Sequence, residues 1–437
     1  MDQRQIAVEI FLTGVESVKP DNLINNYVSV HKNILQIEKI TFDLLFTKNI
    51  YVIGAGKASA MMARAIESTL GTKITAGHVI TKYNHSLPSK FIEITEAGHP
   101  IPDENGIKGT EKIISIVNKA KRGDLVICLI SGGGSALLID APEGCTLEDV
   151  KAVNNILLKT GANITEMNCI RKHLSKVKGG LLAKAAYPAR VVSLILSDVI
   201  GDPLDVIASG PTAPDPTTFK DAIAIINKYN IKNEIPEKIY QILKEGVEKK
   251  RQETLKELDE SMLHTSNLII GTNILALKTA KEKAESSGYN TQIITNKLDG
   301  DINDVADYIV KIALKAKEEN ISKRACLLFA GEPTVKVTGK GLGGRNQHLA
   351  LLVARLLKYI QGVTFLSGGT DGTDGPTDAA GAVVDSFTSQ RSVTMGLDME
   401  QYIANYNSYY FFREEGGLII TGPTHTNVMD LMIVLIN

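Results

Sequence analysis

The chain has 437 residues, room for two or three domains, and its 43% hydrophobic and 22% charged residues are the balance of an ordinary globular protein. Lys and Arg number 48 against 49 Asp and Glu, a net charge of −1, so no global field points to nucleic acid or an acidic membrane and any basic function is local. No apolar run approaches about 18 residues and no apolar leader core opens the chain; Cys128, Cys145, Cys169 and Cys326 form no C-x-x-C pair, so we expect a cytoplasmic protein with reduced packing cysteines, no disulfide framework and no membrane span.

Residues 3 to 45 read as helical. Val8, Ile10, Phe11 and Val15 recur at helical spacing, and so do Ile34, Ile37, Ile40 and Leu44. We expect a helical layer covering a sheet. The run Ile50-Tyr51-Val52-Ile53 is the first buried strand. It leads into Gly54-Ala55-Gly56-Lys57-Ala58-Ser59 and a helix from Ala60 to about Leu70. Two phosphate motifs come close here and fail. The dinucleotide pattern needs a third glycine where Ser59 stands, and the acidic residue expected about 20 positions on is missing. The P-loop pattern fails at Tyr51 and Ala58. The physics of both motifs remains. A lysine at a helix start opposes the dipole, which makes Lys57 easiest to understand beside an anion. The alternative is a solvated lysine on a turn.

In Glu96-Ala-Gly-His-Pro-Ile-Pro-Asp103, His99 serves equally as a ligand contact or as a structural residue before Pro100. Leu125 to Ile130 is an unbroken apolar run suited to a central strand buried on both faces. Ser131-Gly132-Gly133-Gly134-Ser135 follows it. With no side chains in the way, such a turn lets N–H groups approach an anion, especially if a helix begins just after it. A tight turn without ligand is the other reading. A helix spans about Thr146 to Lys159. Five basic residues then lie between Arg171 and Lys184 with no acidic residue among them, a local potential that attracts phosphate or carboxylate unless it is a solvated face.

Val191 to Ser197 is another buried strand and ends at Asp198, the place where open α/β sheets bind ligands. The alternating charges of residues 244 to 260 predict a solvated helix linking two domains. A second α/β region is expected from Leu268. In it, Ala325 to Ala330 is a strand, Val335 to Thr338 is a candidate hairpin partner, and Arg345 follows Gly343-Gly344 near a helix start, repeating the logic of Lys57. After the strand Val363 to Ser367, the loop from Gly368 to Gly381 carries Asp371, Asp374 and Asp378. It can hold a divalent cation through carboxylates and water, though its register is not that of an EF-hand.

These stretches, taken in order, resemble the class II glycerate kinases, the glycerate 2-kinase family whose C-terminal part is called MOFRL. The motifs that carry the resemblance are Gly54-Ala-Gly-Lys-Ala-Ser59, Gly98-His-Pro100, Ser131-Gly-Gly-Gly-Ser-Ala136, Arg171-Lys-His-Leu-Ser175, Ser197-Asp-Val199, Ser209-Gly-Pro-Thr212, Gly331-Glu-Pro-Thr334, Gly343-Gly-Arg-Asn-Gln347 and Thr370-Asp-Gly-Thr-Asp-Gly-Pro-Thr-Asp378. His348 departs from the family's usual Glu, and His425 from its usual Gly.

The resemblance implies two α/β domains, 1–262 and 263–437, with the active site in the cleft between them. The first would be a Rossmann-like, mostly parallel three-layer sheet with the N-terminal helical layer. The second would be a smaller domain with a mixed sheet. It implies ATP-dependent phosphorylation of D-glycerate at its 2-hydroxyl, with Mg²⁺, by a monomer or homodimer. It points to Lys57, Asp198 and Arg345 as the catalytic centre. Gly54, Gly56, Ser59, Ser131, Gly132, Gly133, Gly134, Ser135, Gly344 and Asn346 are the candidate phosphate and substrate contacts. Arg171 or Lys172 would meet the substrate carboxylate, and Asp371, Asp374 and Asp378 the metal. Two other classes compete: an NAD(P)H-dependent hydroxypyruvate reductase, which the failed fingerprint at Ser59 disfavours, and a sugar-acid or sugar-phosphate sensor, which has no use for the acidic loop.

Overall fold

The computed structural model describes residues 2–319 and 324–437. They form two compact α/β units, Leu23–Ile270 and a second composed of Met1–Asn22 with Gly271–Asn437.

The first unit is built on a six-stranded sheet of β4 (Ile50–Ala55), β5 (Ala76–Lys82), β6 (Ile92–Ala97), β7 (Leu125–Ile130), β8 (Arg190–Leu196) and β9 (Thr265–Gly271), in the order β6-β5-β4-β7-β8-β9. The pairs β6-β5, β5-β4, β4-β7 and β7-β8 are all parallel. Every residue of β4 and β7 is buried, as expected of central strands covered on both faces. Before this sheet stands a small antiparallel meander of β1 (Val28–His31), β2 (Ile34–Ile37) and β3 (Ile40–Asp43).

That meander corrects the helical reading of residues 28 to 45. Ile34, Ile37 and Ile40 fit a helix by spacing, but two-residue turns intervene. Lys32 and Glu38 take φ of 54° and 53°, which reverse the chain at Lys32-Asn33 and Glu38-Lys39. Ahead of it, the chain is helical over Gln3–Ser17 and Pro20–Tyr27.

The first of those helices packs with the C-terminal unit, not over the N-terminal sheet. Arg4 binds Asp385 at 2.8 Å and Glu415 at 2.7 Å. Phe11 is fully buried, its ring against the Gly368 backbone. The compact units therefore divide at about residues 22 and 270, and the strand expected to open the second region, β9, completes the first sheet instead.

The charged stretch 244–260 is not a linking helix. The helix Glu237–Val247 ends early, and Leu255 is buried as part of an extended run. Its N–H donates to the Gly179 carbonyl at 2.9 Å and its carbonyl accepts from Asp215 at 2.8 Å.

The second unit's sheet contains β10 (Asn290–Leu298), β11 (Ala325–Gly331), β12 (Val363–Gly369), β13 (Gly381–Asp385), β14 (Leu418–Ile419) and β15 (Asp430–Ile436). Its order is β10-β11-β15-β12-β13-β14, and it is mixed: β10 and β11 are parallel, the other pairs antiparallel. Both edges of β11 are taken, by β10 and β15. Residues 335–338 therefore cannot be its hairpin partner and form no strand. Helices Ile302–Glu319 and Arg345–Leu356 bury Ile309, Ala313, Leu349 and Val353 in one apolar core with Phe329 and Phe365.

Candidate active site

In the first unit, three loops leave the carboxyl edge of the parallel sheet side by side: residues 56–58 after β4, 131–135 after β7 and 197–198 after β8. Lys57, the triple glycine and Asp198 thus share one edge, the ligand-binding edge of open α/β sheets. The first two loops interlock. Lys57 N donates to Gly132 O at 2.8 Å, and Ala58 N to Ser131 Oγ at 3.0 Å. Gly56 has φ of 144°, and a Cβ there would stand 2.1 Å from Ser131 Oγ, so only glycine fits. A Cβ on Gly133 would meet the His99 ring at 2.9 Å and Lys57 Cγ at 3.2 Å. Lys57, His99 and Gly133 therefore crowd one point, which gives His99 a place beside the candidate anion turn.

Ser59 closes the turn, donating to Gly56 O and Ile80 O (2.8 and 2.7 Å). It serves the fold and fills the place where a dinucleotide motif would require bare backbone. The helix that begins at the third glycine is a single turn, Gly134–Leu137, with little dipole of its own.

The basic run is not a free positive patch. Lys172 is buried and paired to Asp205 at 3.0 Å and Asp215 at 3.2 Å. Lys184 pairs with Asp259 at 2.9 Å. His173 Nε2 lies 2.8 Å from Glu253; burial opposes its charge, but the Cys169 carbonyl and Glu253 hold its pKa up at about 9. The acids come from residues 205 to 259, far along the chain and hidden from a local reading. Lys172 is therefore withdrawn as the substrate-carboxylate contact. Arg171 Nε donates to Asn154 Oδ1 at 2.7 Å and stays half-buried.

In the second unit, register sets the site. Asp430 at the start of β15 stands opposite Gly331 at the end of β11 and Gly369 at the end of β12. Glu332, Asp430 and Asp371 are thereby gathered at one edge of the sheet. Arg345, the first residue of its helix, reaches this edge. Its Nε and Nη2 donate to Asp430 Oδ2 and Oδ1 at 2.6 and 3.0 Å, and its Nη1 lies 2.9 Å from Glu332. Burial works against its charge, yet Asp430 and Glu332 raise its pKa further above the ordinary arginine value. Arg345 is a matched charge, not the unmatched one that sequence spacing implied. Asp430 and Glu332 escaped sequence reading as its partners; the signal for Asp430 is a carboxylate opening a wholly apolar final strand.

The structure does not gather Asp371, Asp374 and Asp378 into one ligand set. Among the described residues, no three His, Cys, Asp or Glu side chains form a group able to hold a metal. Asp374 caps the helix of Arg345: its two oxygens accept from Asn346 N at 3.0 Å and Gln347 N at 2.8 Å. A Cβ on Gly344 would lie 2.2 Å from its carboxyl carbon, so Gly344 is needed for this cap. Burial, opposed by those amides and aided by Asp430, pushes the Asp374 pKa up to about 7. Asn346 is buried, its Oδ1 accepting from Ser367 at 2.6 Å, and is no open ligand contact. Asp378 is exposed and accepts from Tyr409 at 2.8 Å. Asp371 is half-buried, and its Oδ1 and that of Asp430 lie 3.4 and 3.5 Å from where a Cβ on Gly369 would stand.

The two departures also find places. His348 stacks on Tyr406 at 4.5 Å, and burial, with Arg355 nearby, lowers its pKa to about 4. His425 has φ of 59°, the left-handed conformation in which glycine is at ease.

Two family models match this architecture, a domain of unknown function (DUF4147) over residues 6–244 and the MOFRL family over residues 325–430. A two-unit α/β protein of the DUF4147 and MOFRL class is therefore defined. A D-glycerate 2-kinase of Thermotoga maritima is 43% identical over 99% of this chain and 98% of its own length. A glycerate 2-kinase of Pyrococcus horikoshii is 40% identical over 100% of this chain and 98% of its own length. The crystal structure of a glycerate kinase from Thermotoga maritima superposes with a TM-score of 0.87 at 42% identity, covering 99% of both chains. The chain belongs to the glycerate kinase family.

Proposed function

We propose that this chain is a glycerate 2-kinase that transfers the γ-phosphoryl group of ATP to the 2-hydroxyl of D-glycerate, giving 2-phosphoglycerate and ADP. The observation that carries the reading is full-length similarity to proteins named for that activity, at 40–43% identity. The site chemistry agrees with it. Phosphoryl transfer needs positioning and charge neutralisation more than covalent catalysis. Lys57 follows a glycine turn ahead of a helix and Arg345 opens one, and we assign to each a part in neutralising phosphate charge. Asp198, at the carboxyl end of β8, orients or deprotonates the attacking hydroxyl. Arg171 is the remaining cation of its motif for the substrate carboxylate. Asp430 and Glu332 aim Arg345.

A magnesium ion fits as a companion of the nucleotide. Such an ion keeps several waters and takes one or two carboxylates besides substrate phosphates. Asp371, with Asp430 beside it, is the carboxylate we assign to that role, and the ion would offset charge on the phosphates. Asp374, occupied by two helix amides, and Asp378, exposed and bound by Tyr409, have structural duties. We assign the protein to the cytoplasm, a reading its four free cysteines support. No helix among the described residues is long and apolar enough to cross a membrane.

The test is ADP release coupled to a reporter enzyme, with D-glycerate as acceptor. Glycerate-dependent ADP release is expected. Oxidation of NAD(P)H with hydroxypyruvate in its place would overturn the reading.

A further inference from the structure

Lys178 is almost without exposed surface and reaches the one-turn helix Gly134–Leu137 that continues the triple-glycine turn. Its Nζ donates to the Ser135 carbonyl at 2.9 Å and, at shorter range, to that of Leu138. Its neighbours fasten the same segment. Ser175 Oγ donates to Asp140 Oδ1 at 2.5 Å and accepts from Lys178 N at 3.2 Å, while Lys176 N donates to Asp140 Oδ2 at 2.7 Å. Gly179 N and Gly180 N then donate to Ser209 O and Gly210 O at 3.0 and 2.7 Å. There Ala208 and Ser209 hold φ of 51° and 62°, a conformation costly for residues with a side chain. Ser135 Oγ lies 2.9 Å from Ser209 Oγ. Residues 175–180 thus tie the glycine turn to a strained turn at 207–210, with Lys178 at the centre.

The hydrogen-bond partners of its Nζ among the described residues are carbonyls, not carboxylates. Capping two carbonyls needs only a neutral donor, and a buried cation is much more costly to keep. The one-turn helix that begins at the third glycine has almost no dipole, so positive potential at the turn has to come from elsewhere. We infer that Lys178 is a positioning residue that holds the Ser131–Ser135 turn and lends it a positive charge for an anionic group, an ATP phosphate or the glycerate carboxylate. This rests on the kinase reading above.

The charge can be separated from the shape. Burial lowers the Lys178 pKa to about 8, with Asp140 favouring its charge and Arg171 opposing it. Above that pH the neutral amine still donates to both carbonyls, but the charge is gone. A purely structural cap is indifferent to this change.

The test measures dissociation constants of MgATP and D-glycerate with the full chain from pH 7 to 9.5, for wild type and Lys178→Gln, by calorimetry. In wild type, affinity for one of the two should fall about tenfold through pH 8, the order expected of one charge a few ångströms from an anion at an effective dielectric near 20 after screening. The affected ligand identifies which anion the turn takes. Lys178→Gln should bind that ligand about tenfold more weakly at pH 7, with the step near pH 8 absent. A flat wild-type profile overturns the inference without any variant, and so does a step that survives in Lys178→Gln. A wild type that binds neither ligand overturns the kinase reading as well; one that turns over glycerate with no step near pH 8 overturns only the role of Lys178.

Discussion

Replacing Asp430 by Asn removes a charge from Arg345 without changing the size of the side chain. Asp430 is 2% exposed and holds Arg345 by two charge-assisted hydrogen bonds of 2.6 and 3.0 Å. Such bonds contribute roughly 1.5–3 kcal/mol each. Three features reduce the net loss: Asn keeps one acceptor, Glu332 still lies 2.9 Å from Nη1, and the Arg345 side chain is 31% exposed. A stability cost of about 1–3 kcal/mol follows, well short of what breaking a fully buried pair costs. The catalytic cost should be larger. An arginine free to swing loses its aim at the phosphoryl group, and turnover should fall roughly 10²-fold, approaching loss of one transition-state donor. The assay is a double-mutant cycle with Arg345→Met, reading kcat by ADP release and stability by urea unfolding. If Asp430 acts through Arg345, the double variant is no slower than Arg345→Met alone. Wild-type kcat in Asp430→Asn, or effects on kcat that multiply, would refute the positioning role.

Lys57→Met and Arg345→Met should each lower kcat by roughly 10²–10³-fold with little change in the KM for glycerate; steady-state kinetics of the two variants checks both points. Asp198→Asn should lose about 10²–10⁴-fold in turnover with an unchanged melting curve, and near-normal turnover removes it from the site. Asp371→Asn should raise the Mg²⁺ concentration needed for half-maximal rate, while Asp378→Asn should leave the Mg²⁺ titration curve in place. The His173–Glu253 pair predicts a stability plateau. The histidine's raised pKa, about 9, gives stability present below its ordinary 6.5 and lost as pH rises through 9. The glutamate's lowered pKa, about 2, gives stability present above its ordinary 4.5 and lost as pH falls towards 2. With Glu253 36% exposed, solvent screening leaves the pair worth about 1 kcal/mol. Urea unfolding of His173→Gln against wild type at pH 5.5 and 9.5 should show a loss about 1 kcal/mol larger at the lower pH, the part due to charge, on top of the packing loss against Phe219 present at both.

The sheet-forming runs were legible because burial on both faces leaves an unbroken apolar signature, as at Val52 and Val126. So were the ligand-edge loops, since three of them carry glycine or a charged residue shortly after a strand. The meander at residues 28–43 was not legible, because apolar residues three apart fit a helix and only the turn conformations at Lys32 and Glu38 decide the matter. Charge partners were least legible of all. Lys172 looked unmatched because Asp205 and Asp215 lie 33 and 43 residues further on, and Arg345 looked unmatched because Asp430 is 85 residues away. Asp374 read as a metal ligand for the same reason: its helix amides stand 27 and 28 residues earlier in the chain. Spacing in sequence reports which strand end a residue occupies; it carries no information on what a sheet register later brings opposite it.

The measurement closest to the central claim is ³¹P NMR of the reaction of the full chain with ATP, Mg²⁺ and D-glycerate. ADP and 2-phosphoglycerate should appear in equal amounts. Formation of 3-phosphoglycerate instead, or no glycerate-dependent loss of ATP, would contradict it.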